Sequence, residues 1–273
     1  MSVRAGIYYP DLSSGATITL TAGSTASGYA LTDMQDANLS TTWKSGSLVT
    51  GPTFKIDLGS SQTVSCVAIL GHNIYSAKNA GSTYSRVTVS HSTDDVTYTA
   101  VLNGTTFTDD RITSDLPILV TFAAASARYV KIVLSDPTGN TAYAYEIADI
   151  FIGGTFLDIT EPTGIPFSLM DWKLASRFAG SATGMGIPSV NEYVTHKVKL
   201  EIGPQAVNVA DFFDDTIASG DYPLTHAAPS FQHFIRNCWS LGLRFLFCPF
   251  TTGTDATYDV LAWSGGSHAG ICV

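Results

Sequence analysis

From Asn38 to Gly153 the chain is a succession of short alternating or β-branched runs, each bounded by Gly, Asp, Ser or Pro. The first phrases are Thr41-Thr42-Trp43-Lys44-Ser45, Phe54-Lys55-Ile56-Asp57-Leu58-Gly59 and Val67-Ala68-Ile69-Leu70-Gly71. They are followed by Val87-Thr88-Val89-Ser90-His91-Ser92-Thr93-Asp94-Asp95-Val96-Thr97-Tyr98, by Ala127-Arg128-Tyr129-Val130-Lys131-Ile132, and by Ile147-Ala148-Asp149-Ile150-Phe151-Ile152-Gly153. A period of two between turn formers is the pattern of half-buried strands. Several such strands at short spacing predict an antiparallel sandwich or jelly roll. Ahead of them, Ala16–Ala22 reads as a strand and Ala30–Asn38 as a short helical turn leading into a loop.

The order of these phrases resembles the galactose-binding-like family, the discoidin or coagulation-factor C-type β-sandwiches also used as carbohydrate-binding modules. That pattern has a T-x-W loop, an I-D-L-G strand, an S-x-D-G-x-x-W hairpin, A-R-Y-V-R-I and a final acidic strand ending in Gly. Here Asp94-Asp95 stands for Asp-Gly, Tyr98 for Trp and Lys131 for the second Arg. The resemblance covers roughly residues 1–155. It implies fold more strongly than function, because one scaffold hosts many unrelated sites.

The same resemblance implies a structural calcium held by Asp36, Asn38, Thr41 and Asp149, hard oxygen donors suited to that ion. The chain departs from the pattern with Ala37 for a Gly and with Asp149 for a longer Glu. The alternative is an Asx-turn that ties the loop through side-chain to backbone hydrogen bonds. No other cofactor is expected. A sugar site in such a module sits in loops at one end of the sandwich, with aromatic faces and a few planar polar groups. The candidates are Trp43, His72, Asn73, Tyr75, Tyr84, Tyr143 and Tyr145, with Trp43 equally readable as a core cover. The loop from Ile74 to Tyr84 is long and rich in small residues, which points to contact with a ligand or partner.

The 273 residues suffice for two domains, and a hydrophobic fraction of 45% supports real cores. Charged residues make up only 14%, against about 25% in typical domains. The polar surface is therefore built largely from Ser, Thr, Asn and Gly, as in β-rich assembly proteins covered by neighbours, and also as in a secreted lectin. A formal net charge of −9 without a basic run argues against a nucleic-acid partner. No stretch has the length and apolarity of a membrane span. The first ten residues show no signal-peptide pattern, so assembly in a host cytoplasm is expected. Cys66, Cys238, Cys248 and Cys272 follow no metal spacing and are expected to be free thiols.

The predicted fold is mainly β: an N-terminal antiparallel jelly-roll β-sandwich over 1–155, a linker or arm over 156–190, and a small α+β assembly domain over 191–273. The arm carries Ile165, Phe167, Leu169, Trp172 and Phe178 among prolines and glycines, a composition suited to exchange with a neighbouring subunit. In the last domain Glu192–Ile202 and Arg244–Phe250 read as strands, whereas Asn208–Ala218 and Ser230–Gly242 carry helical spacing and caps.

The six histidines are scattered, and no nucleophile elbow or phosphate-cradling loop is present, so catalysis is not expected. The overall plan looks like structural proteins of tailed-bacteriophage virions, in the tail or baseplate. That likeness implies other virion proteins and copies of the chain itself as partners. The second expectation is an adhesin that binds host surface glycans.

Overall fold

The computed structural model describes residues 4–46, 51–102, 111–139, 143–158, 173–175, 195–197, 238, 241, 243–251, 261–263 and 270–272. Its strands are β1 (Arg4–Asp11), β2 (Thr17–Ala22), β3 (Trp43–Lys44), β4 (Thr53–His72), β5 (Ser85–Ser92), β6 (Thr99–Leu102) and β7 (Arg111–Ile112). They continue with β8 (Ile118–Ser135), β9 (Glu146–Asp158), β10 (Lys173–Ala175), β11 (Thr195–Lys197), β12 (Phe245–Thr251), β13 (Leu261–Trp263) and β14 (Gly270–Cys272). All the described pairings are antiparallel. A 3-10 turn over Leu31–Gln35 lies where the sequence predicts a helical turn.

Two long strands carry the architecture. β4 and β8 pair along almost their whole length, with register shifts between Asp57 and Gln62 and between Val64 and Cys66. Such irregularities bend a strand and let it pass from one layer to the next. On one side of the bend, Thr53–Asp57 pairs with β2 and with Tyr129–Val133, and β5 continues that layer. On the other side, Gln62–Ile69 pairs with Ala127–Ile118, and β9 then β1 follow from β4.

The main core fills the space between these layers. Phe54, Ile56, Val87, Val89, Val130 and Ile132 face Val67, Ile69, Ile118, Val120, Ile150 and Ile152, all buried. The outer face of the first layer stays polar: Thr19, Lys55 and Lys131 lie side by side across β2, β4 and β8. The alternation read in Phe54–Leu58 is thus the difference between core and solvent.

The second layer is covered on both faces. Cys66, Ala68 and Leu70 point away from the main core into a second cluster with Tyr8, Leu119, Phe151 and Leu246. This explains why Val64–Leu70 is continuously buried, and Cys66–Leu70 apolar, instead of alternating. Leu246 enters because β12 pairs with β1, setting Tyr8 opposite Leu246 and Ile7 opposite Phe247. The sheet that begins in the N-terminal half therefore extends into strands from the last thirty residues, in the order β14-β13-β12-β1-β9-β4-β8-β5-β6. β9 runs on to Asp158, past the Gly153-Gly154 pair read as the end of the sandwich. Gly153 is needed there, since a Cβ would stand 2.6 Å from Cys66 Sγ and 2.9 Å from Tyr8 Cβ.

The predicted strand over 192–202 is represented by β11, paired with β10. The arm residues Ile165, Phe167, Leu169, Trp172 and Phe178, and the helical stretches apart from Cys238 and Leu241, lie outside the described residues. Cys66 and Cys238 are buried free thiols.

Two turns keep glycine geometry without glycine. Ala37 has φ +61° and Asp95 has φ +64°, both in the left-handed region that favours Gly. These are the two positions at which the resembling pattern has Gly and this chain does not.

Candidate functional site

The loop between β4 and β5 is tied down by three side chains. Asn73 acts as a surrogate strand: its Nδ2 donates to Ala144 O at 2.9 Å and its Oδ1 accepts from Glu146 N at 2.7 Å. Asp115 Oδ1 accepts from the amides of Tyr75 and Ser76 at 2.8 and 3.1 Å, while the Ser76 hydroxyl donates to Oδ2. Asp136 accepts from Asn79 N at 2.8 Å, Ser82 Oγ at 2.6 Å and Thr138 N at 2.7 Å. Burial pushes the Asp136 carboxyl up, but these hydrogen bonds outweigh it and hold it below the usual range. A loop of small residues gains a fixed shape in this way.

His72 forms the floor. Its Nε2–H donates to Leu116 O at 2.8 Å and its Nδ1 accepts from Ile74 N at 3.3 Å, which fixes the neutral tautomer. Burial lowers its pKa to about 4, against the opposing pull of the Leu116 carbonyl and the Asp115 charge. His72 and Asn73 are therefore structural supports of the loop, both occupied by internal partners.

The aromatic candidates divide by exposure. Trp43 is fully buried, with Nε1 donating to Thr25 Oγ1 at 3.0 Å and its ring edge-on to Phe54 at 4.8 Å. Tyr145 is also fully buried. Neither offers a ring face to a ligand, because both rings are spent on the core. Tyr143, by contrast, is 66% exposed, and its amide donates to Ala77 O across to the loop. Tyr75 is half-buried with Lys78 Nζ 4.5 Å from its ring centre. Tyr84 is half-buried beside Arg86, whose Nη2 donates to the phenol oxygen at 3.1 Å. Leu116, which the sequence did not single out, is 50% exposed at the same end. Open aromatic and apolar faces on a fixed loop, next to a lysine, can stack on a planar or ring-shaped ligand.

The candidate calcium residues lie in two places. Asp36 Oδ1 accepts from Asn38 N at 2.8 Å, Asp36 Oδ2 accepts from Thr41 Oγ1 at 2.6 Å, and Asn38 Oδ1 accepts from Ser40 N at 3.1 Å. That is the Asx-turn alternative. Asp149 is buried and faces Arg244, whose Nη1 donates to Oδ1 at 3.2 Å and whose Nη2 donates to Oδ2. Arg244 Nη1 also lies 3.0 Å from Asp11 Oδ2, an ion contact without hydrogen-bond alignment. Asp11 Oδ1 accepts from Ser13 N at 2.9 Å and Ile152 N at 3.3 Å. Burial raises Asp149 to about 6, with Arg244 lowering it and the charges of Asp11 and Asp36 adding to the rise. A guanidinium already bidentate on Asp149 competes for the oxygens that calcium would need, so these residues do not fit calcium. Among the described residues no group of three or more His, Cys, Asp or Glu side chains is arranged to hold a metal.

Comparison with known proteins agrees with this architecture. The F5/8 type C domain family is matched by residues 19–147. No curated protein matches the chain. Similar solved structures include a chitosan-binding module of a chitosanase/glucanase from Paenibacillus sp. IK-5, 24% identical, covering 54% of this chain and 100% of that one at a TM-score of 0.40. A CBM32 module from a family 31 glycoside hydrolase of Clostridium perfringens is 17% identical, with coverages of 54% and 98% and a TM-score of 0.43. Another Clostridium perfringens CBM32 module, in complex with GalNAc-β-1,3-galactose, is 15% identical, with coverages of 52% and 99% and a TM-score of 0.40. Residues 19–147 are thus similar to an F5/8 type C domain, within a chain whose described fold is a mainly β, discoidin-like antiparallel sandwich.

Proposed function

We propose that this chain is a non-enzymatic structural protein of a bacteriophage virion, in the tail or baseplate, with its sandwich projecting as a carbohydrate-binding-type domain. The observation that carries the reading is the joining of an F5/8-type sandwich to its own C-terminal strands through β1 and β12. The sandwich is built into the rest of the chain instead of hanging from it as a detachable module. The low charge content of 14% supports a surface covered by neighbours, namely copies of the chain and other virion proteins. No helix among the described residues is long and apolar enough to cross a membrane.

Light scattering on the purified full-length chain tests this. A defined oligomer is expected, and a monomer at all concentrations contradicts the assembly role.

A second reading is favoured by Tyr143, Tyr75 and Leu116 at the fixed loop end: a glycan-binding adhesin that attaches the particle to its host. Relatives of the sandwich are carbohydrate-binding modules, one of them in complex with a GalNAc-containing disaccharide. Both roles can reside in one chain, with the loop end outward.

A further inference from the structure

We propose that Arg244 is a built-in counter-cation that replaces a metal ion at the acidic corner of the sandwich and makes that corner dependent on the C-terminal segment. Asp11 closes β1 and Asp149 lies within β9, neighbouring strands whose side chains here are 1% exposed. Two carboxylates buried this deeply stay ionised only beside a cation, since without one they would hold protons instead. The described sandwich residues before Arg244 place no other cation against either carboxylate. The guanidinium that meets both comes from a residue 95 positions beyond Asp149, itself only 10% exposed.

Its placement is over-determined. Asp11 N donates to Arg244 O at 3.0 Å, so the backbone ladder of β1 and β12 sets the arginine's Cα beside the corner. The planar fork of Arg then suits the bidentate carboxylate of Asp149. A point cation bound from solution would be released by chelators. A guanidinium fixed by a strand cannot be. The proposal concerns the corner alone and stands apart from the glycan and virion readings.

The test uses the full chain and calcium chloride alone as the probe. The melting temperature of the wild type is expected to be the same with calcium and with chelator, and calorimetry to show no saturable heat. Arg244→Gln is expected to melt several degrees lower, and Asp149→Asn combined with it to recover part of that loss. A calcium-dependent rise in the wild-type melting temperature overturns the proposal. So does an Arg244→Gln variant that melts with the wild type. Should Arg244→Gln alone fail to fold, recovery of a folded protein in the double variant supports the pairing, and failure of both variants with a calcium-responsive wild type refutes it. Failure of both with an unresponsive wild type also refutes it, because charge removal in pairs was required to be tolerated.

Discussion

The molecule treats its polar residues in opposite ways at the acidic corner and at the loop end. At the corner, Asp11 and Asp149 are packed away from water around Arg244, which is bidentate on Asp149 and in ion contact with Asp11. At the loop end, Asn73, Asp115 and Asp136 are spent on backbone amides, which leaves Tyr143, Tyr75 and Leu116 facing outward. The corner uses charge to join distant parts of the chain. The loop end uses hydrogen bonds to hold a shape and leaves the Tyr143 ring exposed. Only the second arrangement has anything left to offer a partner.

The difference can be broken most forcefully at the corner. Arg244→Gln leaves two buried carboxylates without a cation and is expected to cost about 3–5 kcal/mol, the range for one partner removed from a buried ion pair. Urea unfolding of the full chain measures it. By comparison, Arg128 makes a similar bidentate pair with Asp57 on the solvent face. Its replacement by Ala is expected to leave the midpoint within error, because water screens exposed pairs.

Next in size is acid. His72 titrates near 6.5 when unfolded and at about 4 when folded. Between those values the unfolded chain binds the extra proton, so stability falls as pH drops below 6.5 and stops changing on this account below 4. The full loss is about 3 kcal/mol. Thermal melts across that window check it. Asp149, raised to about 6, takes its proton first in the folded chain and opposes this over the same window, so the difference between wild-type and His72→Gln melts isolates the His72 part.

Smaller again is the pin at Asp136. Asp136→Ala strands the amides of Asn79 and Thr138 and the Ser82 hydroxyl, costing about 1–3 kcal/mol. Hydrogen exchange is expected to rise at Asn79 and to leave the strands unaffected. The smallest effect on stability belongs to Tyr143→Ala, which removes an exposed ring. Its melting temperature is expected to match the wild type, while adsorption of particles to host cells falls. Unchanged adsorption would remove the adhesin reading at this site.

Much of this contrast was legible in the sequence, and the rest has a physical reason for hiding. The runs Phe54–Gly59 and Val67–Gly71 were legible as strands, whereas the burial of the second on both faces depends on the distant Tyr8 and Leu246. Asp36, Asn38 and Thr41 announced an Asx loop because their partners are local. Arg244 was invisible because its partners lie far away in the chain and meet it only through β1. Nothing in the sequence singles out Asp115 or Asp136, since a lone Asp in a loop gives no hint of which amides it will cap. Trp43 could stack on a ligand or fill the core, and only the edge-on contact with Phe54 decided it. Tyr143 and Tyr145 lie on the irregular segment just before β9, where no strand period governs direction, so only the structure shows the first exposed and the second buried.

The measurement that bears most directly on the account is quantitative mass spectrometry of gradient-purified particles from lysed host cells. The account predicts the chain in those particles at a fixed ratio to tail proteins, resistant to salt washing. Its presence in the lysate but absence from the particles would contradict a virion role.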